Sequence, residues 1–205
     1  LVATPDYDLS QLPNQALSLP ILLVSPELLK DLSETPTPQG IMAVIDLPSS
    51  PLGWQPSGQR YLILDAVQDP GNLGTLIRTA DAAAYDGVIL GKGTVDVYND
   101  KVLRASQGSL WHLEVVSLDL LQEARPAFEA AGIPWFVTAL HQEAKAYTDV
   151  PTDQALALVL GNEGQGVSEA VIQVADQTIY IPMPGQAESL NVAVAGGILM
   201  FYFQA

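Results

Sequence analysis

The sequence predicts an α/β fold, a parallel sheet with helices on both faces. Three observations predict it. From residue 61 onward, short apolar runs alternate with stretches of helical periodicity, which is the pattern of repeated βα units. A length of 205 residues and a hydrophobic fraction of 48% are enough for one full domain and a smaller piece. Glycine-rich loops follow several apolar runs, and ligands of open α/β sheets bind at such loops.

The first elements are too few to close a core of their own. Residues 20–24 form a short apolar run that predicts a strand, and residues 40–45 predict another. Ser25 followed by Pro26 is typical of an N-cap and a first helical position, so a helix is expected to start there. We therefore expect residues 1–46 to be the C-terminal part of a small N-terminal α/β domain.

Residues 47–59 have the composition of a linker. They contain three prolines, three serines and two glycines, which favour a stiff and polar connection. The boundary between two domains is therefore placed here, and residues 60–205 are assigned to the second domain.

The second domain is predicted to alternate strands and helices. The strands are short apolar runs bounded by turn residues, expected at residues 61–64, 88–90, 113–116, 135–138, 155–160 and 178–181. The helices are expected at residues 73–84, 99–106, 118–131, 168–174 and 190–203. The last helix is apolar nearly all round, so it must be buried in the core, against a second copy of the chain, or against both.

The net charge argues against simple electrostatic capture of nucleic acid. The chain has 8 basic and 23 acidic residues, a formal net charge of −15. Four of the cations nevertheless fall close together in the sequence, namely Arg78, Lys92, Lys101 and Arg104. We expect them to form a local basic strip on an acidic body, the surface to which a nucleic acid would bind, and a second subunit would add further cations.

Composition excludes several kinds of site. Cysteine is absent, so disulfides and thiolate metal sites are ruled out, which suits a reducing cytoplasm. His112 and His141 have no ligand-like spacing, so no metal is expected, and His112 and Trp111 are expected to be packing residues. No secretion signal is recognisable, and the longest apolar stretch, residues 192–203, is shorter than the roughly 20 residues that cross a bilayer.

The loops of the last 45 residues, at residues 161–166, 181–185 and 188–192, combine glycine with Asn, Ser or Glu, which is the composition of a small-molecule pocket. The last two are treated below as one segment, residues 181–192, and a loop further upstream is considered with them. The first loop, residues 69–72, follows a predicted strand, and Asn72 is suited to cap the helix that carries Arg78. Arg78 lies six residues later, so the two share a face only if the first helical turn is irregular. The plainer interpretation is a capped turn followed by a solvated arginine.

The second and third loops follow the last two predicted strands. Residues 161–166 contain Glu163, which can accept a hydrogen bond from a ribose hydroxyl or from a neighbouring catalytic group. Residues 181–192 lead into the last helix and contain Ser189. The plainer interpretations are a glycine-rich turn with a helix-capping Glu163, and an N-cap at Ser189.

Together these segments closely resemble the sequence motifs of the SpoU (TrmH-type) branch of the SPOUT RNA methyltransferases. Residues 69–80 match its N-x-G-x-x-x-R motif, residues 160–166 its second motif and residues 181–192 its third, in the family's order. The resemblance implies a C-terminal domain with a deep trefoil knot, after a domain that often resembles ribosomal protein L30e and binds the RNA. It also implies a homodimer formed through the C-terminal domain, and methyl transfer from S-adenosylmethionine to a ribose 2′-hydroxyl.

The resemblance also assigns residues to the site. The catalytic residues that it implies are Asn72, Arg78, Glu163, Ser189 and Asn191. The cofactor-binding residues that it implies are Gly161, Asn162, Gly166, Ile181, Met183, Ser189 and Leu190, with the main chain at Gly161, Ile181 and Leu190 holding adenine and ribose. A guanidinium binds phosphate oxygens well but is a poor base near neutrality. Phosphate-assisted removal of the hydroxyl proton and stabilisation of the alkoxide by the arginine both stay open.

Ribosomal RNA is the expected substrate, because a linker and an upstream domain resemble the layout of members that modify ribosomal RNA. Transfer RNA is the second candidate. A dinucleotide-binding oxidoreductase would also be an α/β protein, but residues 71–74 lack the third glycine of G-x-G-x-x-G at the required offset. A module that binds cofactor or RNA without catalysis is a further alternative, suggested by the net charge.

Overall fold

The computed structural model describes residues 1–35, 37–47, 53–140 and 143–204. The chain divides into two compact units, Leu1–Ser49 and Ser50–Ala205, and each has its own sheet. Residues 48–52 of the predicted linker lie outside the described part of the chain.

The first unit contains a small sheet and two short helices. Its strands are β1 (Val2–Ala3), β2 (Leu22–Leu23) and β3 (Ile41–Met42), and its helices are α1 (Asn14–Leu17) and α2 (Pro26–Leu32). β1 lies in the middle, parallel to β2 and antiparallel to β3. The predicted cap of α2 is confirmed, because the Ser25 hydroxyl accepts a hydrogen bond of 3.2 Å from the backbone N–H of Leu28.

The second unit alternates strands and helices as predicted. Its strands are β4 (Arg60–Asp65), β5 (Gly87–Leu90), β6 (Glu114–Ser117), β7 (Trp135–Thr138), β8 (Lys145–Ala146), β9 (Leu156–Gly161) and β10 (Gln177–Tyr180). Its helices are α3 (Pro70–Ala82), α4 (Asp100–Ser106), α5 (Arg125–Ala130), α6 (Glu169–Ile172) and α7 (Val192–Tyr202). A 3₁₀ turn, Ser109–Trp111, follows α4, and a π-helical turn, Leu120–Ala124, leads into α5.

The strands of the second unit form a parallel sheet in the order β6-β5-β4-β9-β7-β10-β8, which confirms the predicted fold class. The spatial order differs from the chain order, because β9 lies between β4 and β7 and β10 lies between β7 and β8. Asp65 at the end of β4 is therefore the direct neighbour of Gly161 at the end of β9. The loops that follow these two strands start side by side.

Side chains of β4 alternate between two cores. Tyr61 and Ile63 pack with α5 and α6, whereas Leu62 and Leu64 pack with α3, α4 and α7, so helices cover both faces of the sheet. Trp54, which falls in the predicted linker, is also buried and contacts Tyr61 edge-on. Its Nε1 donates a hydrogen bond of 2.8 Å to the Glu114 carboxylate, so this part of the predicted linker belongs to the second unit.

α3 begins earlier than predicted, and its N-cap is Asp69. The Asp69 carboxylate accepts a hydrogen bond of 2.8 Å from the backbone N–H of Asn72, and Pro70 occupies the first helical position. A proline suits this position because its fixed φ is helical and the helix needs no N–H there. The prediction that Asn72 caps this helix is therefore wrong.

α7 packs closely on α3 and β9. A Cβ atom added at Gly196 would lie 2.4 Å from Leu76 Cδ2 and 2.9 Å from Leu160 Cδ1, so the glycine permits this contact. One face of this apolar helix is thus buried in the core, as expected. Neither α7 nor any other helix in the described ranges is long and apolar enough to cross a membrane.

Candidate active site

A cavity of about 680 Å³ opens at the carboxyl ends of β7, β9 and β10. The loop after β9 and the segment before α7 line it, and all seven predicted cofactor-binding residues contribute: Gly161, Asn162, Gly166, Ile181, Met183, Ser189 and Leu190. Its volume lies within the range of roughly 300–1,000 Å³ that is typical of small-molecule sites. The structure therefore brings the second and third loops together around one cavity.

Asn162 holds the loop after β9 in a fixed shape. Its backbone N–H donates to the carbonyl of Gly166 at 3.0 Å, and the N–H of Gly166 donates back at 2.9 Å. Its side-chain oxygen accepts from the N–H groups of Gly164 and Gln165, at 2.9 and 3.1 Å. Its Nδ2 donates to the carbonyl of Ala66, which follows β4, at 2.9 Å.

Glycine is required at two positions of this loop. A Cβ atom at Gly161 would lie 2.1 Å from both the carbonyl carbon of Gly166 and the nitrogen of Val167. Gly166 itself has a φ of +71°, in the left-handed region that side chains disfavour. The main chain turns back tightly toward β9, which is why glycine is needed at both positions. This loop forms one wall of the cavity.

Glu163 connects this loop to the first one. Its carboxylate accepts hydrogen bonds from the N–H groups of Gln68 and Asp69, at 3.2 and 3.0 Å, and from Asn72 Nδ2 at 3.0 Å. Partial burial favours a higher pKa for Glu163, but the hydrogen bonds, led by that of Asn72, outweigh burial and hold its pKa below the ordinary value. The group is therefore a carboxylate at neutral pH.

Asn72 and Asn191 extend the connection to the third loop. Asn191 Nδ2 donates a hydrogen bond of 2.9 Å to Asn72 Oδ1. Asn191 Oδ1 caps α7 by accepting from the N–H groups of Ala193 and Val194, so Asn191 and not Ser189 is the N-cap. Asn191, Asn72 and Glu163 thus form one chain of hydrogen bonds that joins all three predicted loops.

Arg78 is placed apart from this chain of hydrogen bonds. Its exposed side chain does not line the cavity, and no hydrogen bond or ion pair fixes it to a described residue. α3 is helical from Pro70 onward, and six residues correspond to about 600° of rotation. Asn72 and Arg78 therefore lie on different faces of α3, and the irregular first turn that would have aligned them does not occur.

The other predicted RNA-binding cations lie on and before α4. Lys92 and Lys101 are exposed, and Arg104 forms an exposed ion pair with Asp100 one turn earlier on the same helix. Such exposed pairs are weak and exchange readily with other ionic partners. Trp111 and His112 are also exposed, so the prediction that they are packing residues is wrong for this chain.

The cavity also contains residues to which the sequence analysis gave no role in the site. Glu169 and Glu188 join Glu163 in its lining, and the described lining includes no lysine or arginine. Thr138 reaches it from the end of β7. An excess of carboxylates suits a ligand that carries positive charge. Across the described residues, no group of three or more His, Asp or Glu side chains is placed to hold a metal ion.

A parallel sheet with a cavity at the carboxyl ends of its strands, shaped by glycines and lined by carboxylates, is the architecture of a domain suited to a small cationic ligand. S-adenosylmethionine, with its sulfonium and ammonium groups, fits this description. The chain belongs to the SpoU rRNA Methylase family, whose sequence profile matches residues 59–201. It is therefore an RNA methyltransferase with S-adenosylmethionine as its cofactor, which confirms the predicted family and cofactor.

Two curated proteins show how far the similarity extends. The 23S rRNA (guanosine(2553)-2′-O)-methyltransferase RlmP of Bacillus subtilis is 44% identical over 182 residues, 89% of this chain and 71% of its own length. An uncharacterized tRNA/rRNA methyltransferase of Synechocystis is 34% identical over 179 residues, 87% of this chain. This chain spans only 65% of that relative's length.

Solved structures share the fold. An rRNA methyltransferase from Sinorhizobium meliloti with bound AdoMet has a TM-score of 0.81 and 31% identity, and the match covers 91% of this chain and 72% of that one. The SpoU methyltransferase AviRb from Streptomyces viridochromogenes, in complex with AdoMet, has a TM-score of 0.83 and 28% identity. That match covers 99% of this chain and 80% of AviRb.

Proposed function

We propose that this protein transfers a methyl group from S-adenosylmethionine to a ribose 2′-hydroxyl of ribosomal RNA, with 23S rRNA as the first candidate. The observation that carries the proposal is the chain of hydrogen bonds from Glu163 through Asn72 to Asn191 beside the cavity. It joins three segments that are distant in sequence. The similarity to a 23S rRNA 2′-O-methyltransferase over most of the chain favours this substrate over transfer RNA.

The loops around the cavity are proposed to hold the cofactor, which supplies an electrophilic methyl group when bound. The main chain at Gly161, Ile181 and Leu190 holds adenine and ribose. Asn162 and Gly166 keep the loop after β9 in the shape that the cavity requires, and Met183 and Ser189 complete the lining. Carboxylates in the lining favour a positively charged ligand over an anionic one.

The residues at the methyl-transfer site are proposed to be Asn72, Glu163, Ser189 and Asn191, with Arg78 as the phosphate contact. Glu163 and Asn191 position the Asn72 amide between them, so that the loop before α3 keeps a fixed place beside the cavity. The exposed guanidinium of Arg78, which has no partner among the described residues, is available to bind a phosphate next to the target ribose. Most of the catalytic effect would then come from orientation, which needs no strong protein base.

A homodimer formed through α7 is part of the proposal. Val194, Ile198 and Phe201 recur at helical spacing, and their exposed fractions are 53%, 38% and 48%. Such an apolar stripe on a helix is typical of a face that binds a partner. A second copy would bury the stripe and would bring a second set of cations to an otherwise acidic protein.

Residues 1–46 are proposed to belong to an L30e-like domain that binds the substrate, with residues 47–59 as the connection. Among its described residues, the first unit leaves nine large apolar side chains exposed: Leu17, Leu19, Leu22, Leu23, Leu28, Leu32, Val44, Ile45 and Leu47. Exposed apolar surface of this extent marks an interaction face. Because ribosomal RNA is the proposed substrate, we place the protein in the cytoplasm.

The proposal is tested by incubating the protein with labelled S-adenosylmethionine and transcripts of 23S rRNA, 16S rRNA and tRNA, followed by mass spectrometry of the nucleosides. We expect one 2′-O-methylated nucleoside in 23S rRNA and none in the other transcripts. Methylation of tRNA alone would replace the substrate with the second candidate. The proposal would be overturned if a base were methylated in place of a ribose, or if none of these RNAs received a methyl group.

A further inference from the structure

Trp111 is an exposed aromatic residue that neither the cavity nor the hydrogen-bonded loops explain. The chain has three tryptophans, and the exposed fraction is 0% for Trp135, 7% for Trp54 and 54% for Trp111. An indole combines a large apolar surface with a polar N–H, and such side chains are enriched where a protein contacts a partner or ligand. Trp111 ends the 3₁₀ turn that follows α4.

Trp111 is followed by a histidine, and charged residues lie on the two helices that contact its 3₁₀ turn. His112, the next residue, places Nδ1 2.9 Å from the carboxylate of Asp81 near the end of α3, which fixes the ring while most of it stays exposed. Arg78 lies three residues before Asp81 on α3, so the two are neighbours on the helix surface. Arg104 lies in the last turn of α4, just before the 3₁₀ turn. Both α3 and α4 contact the 3₁₀ turn, so each helix next to Trp111 carries an arginine that can bind phosphate.

The charge distribution favours a nucleic acid over an apolar partner at this surface. Half of the chain's eight lysines and arginines fall between residues 78 and 104, where they balance four aspartates, so this segment is neutral in a protein of net charge −15. Of the other four, Arg125 pairs with Asp176, and Arg60 donates to backbone carbonyls. Cations interleaved with an exposed aromatic ring are the combination that binds single-stranded nucleic acid, through phosphates and through base stacking.

We propose that Trp111 stacks on a base of single-stranded RNA next to the methylated nucleotide, and that His112, held by Asp81, contacts the same strand. The inference rests on the proposed function and adds a substrate contact to it. Along α3, Asp81 lies nine residues beyond Asn72, a rise of about 14 Å. The stacked base would thus be a flanking base rather than the target, and the RNA strand would run along α3 and α4 toward the cavity.

Binding is tested first by fluorescence, with a single-stranded oligouridylate as the probe and duplex RNA as its control. Trp54 and Trp135 are buried, so quenching of the exposed indole by the oligonucleotide reports on Trp111. We expect quenching by the single strand, protection of the indole from acrylamide, and loss of both effects in Trp111→Phe. Equal quenching in Trp111→Phe, or quenching by duplex RNA alone, would overturn the inference.

Methyl transfer to the wild-type enzyme's RNA substrate provides the second test. Loss of one base stack predicts a KM for RNA about tenfold to a hundredfold higher in Trp111→Ala, with partial rescue by Trp111→Phe. The KM for S-adenosylmethionine and the kcat at saturating RNA should stay within about twofold. Lys101→Ala should also raise the KM for RNA. Lys145→Ala removes the same charge from β8, the edge strand at the other end of the sheet from β6, and should leave the KM for RNA unchanged.

The outcomes separate this inference from the proposed function. If the wild-type protein methylates no RNA, the proposed function fails first, and the fluorescence test still decides whether Trp111 binds single strands. If the wild type is active and Trp111→Ala has an unchanged KM for RNA, the stacking role is wrong. If Trp111→Ala instead dissociates a dimer, the surface is a protein interface, and the inference is overturned.

Discussion

Glu163 accepts three hydrogen bonds through a single carboxylate, and two of them come from the main chain just before α3. A glutamine at this position has one acceptor oxygen, and its amide group would face a donor. Glu163→Gln should therefore loosen the loop before α3 beside the cavity. From roughly 1.5–3 kcal/mol for hydrogen bonds to a charged group, we expect kcat/KM for methyl transfer to fall about tenfold to a hundredfold. Unchanged kinetics would show that this connection does not matter for catalysis.

The lowered pKa of Glu163 also predicts a pH dependence of stability. Because the folded-state pKa lies below the ordinary value of 4.5, the carboxylate stabilises the fold above pH 4.5. This contribution is lost as the pH falls through the folded-state pKa. Urea unfolding should show wild type more stable than Glu163→Gln at neutral pH, with a difference that shrinks in acid. If the stability difference between wild type and Glu163→Gln instead grew on acidification, the lowered pKa of Glu163 would be contradicted.

Two substitutions at Asn191 separate its role as a cap from its bond to Asn72. Asn191→Ala removes both, so the free energy of unfolding should fall by about 1 kcal/mol, and activity should fall as well. Asn191→Asp keeps an oxygen to cap α7 but loses the donor to Asn72 Oδ1. Thermal unfolding should thus be near normal in Asn191→Asp, while methyl transfer is reduced as in Asn191→Ala. Full activity in Asn191→Asp would rule out a role for the bond.

At the residue scale, sequence patterns indicated residues that line one cavity, but not the hydrogen-bonding partners of Asn72. Asn72 was predicted to be a cap from its local context, yet its side chain bonds to residues 91 and 119 positions away. Local propensity does not reveal such tertiary partners. The exposure of Trp111 was missed for the same reason, because burial depends on which elements pack nearby.

At the scale of elements, α7 shows why a helix can contain glycine although glycine has a low helix propensity. Gly196→Ala would place Cβ 2.4 Å from Leu76 Cδ2, so we expect a loss of about 1–3 kcal/mol from overpacking. Its neighbour is a matched control, because a Cβ at Gly197 would have its nearest contact at 3.9 Å, to Thr79 Cγ2. Gly197→Ala should stabilise the helix by about 0.5–1 kcal/mol. Chemical unfolding of both variants tests this contrast, and equal effects would contradict it.

The elements of the second unit were largely predictable, because buried parallel strands are continuous apolar runs. β7 matches its predicted bounds, β5 begins one residue earlier than predicted, and β4, β6, β9 and β10 differ from their predicted bounds by one residue at each end. β1 and β8 were missed, since strands of two residues leave no periodic signal. Their pairing is decided by neighbouring strands, which a local pattern does not contain.

At the scale of the whole molecule, the strand order was not predictable from the sequence. β9 joins β4 although 90 residues separate Asp65 from the start of β9, and this long-range pairing is what brings the first and second loops together. The trefoil knot stays a prediction from the family resemblance. The separation into two units near residue 49 falls within the linker that composition indicated.

The exposed stripe of α7 gives a prediction at this scale. Phe201→Asp places a charge in the proposed dimer interface, so sedimentation velocity should show a dimer for the wild type and a monomer for the variant. Circular dichroism provides the control for folding, because Phe201 is half exposed and the core does not depend on it. A wild-type monomer, or a variant that remains a dimer, would contradict assembly through this face.

The central claim is that the segments after β9 and β10 enclose one site for the methyl donor. Calorimetric titration with S-adenosylmethionine tests it most directly, with Gly161→Ala as the variant and Gly185→Ala as the control, since a Cβ at Gly185 meets nothing within 4 Å. We predict one site per chain in the wild type and in Gly185→Ala, and affinity weakened more than about tenfold in Gly161→Ala. Equal affinity in Gly161→Ala, or no binding to the wild type, would contradict the account.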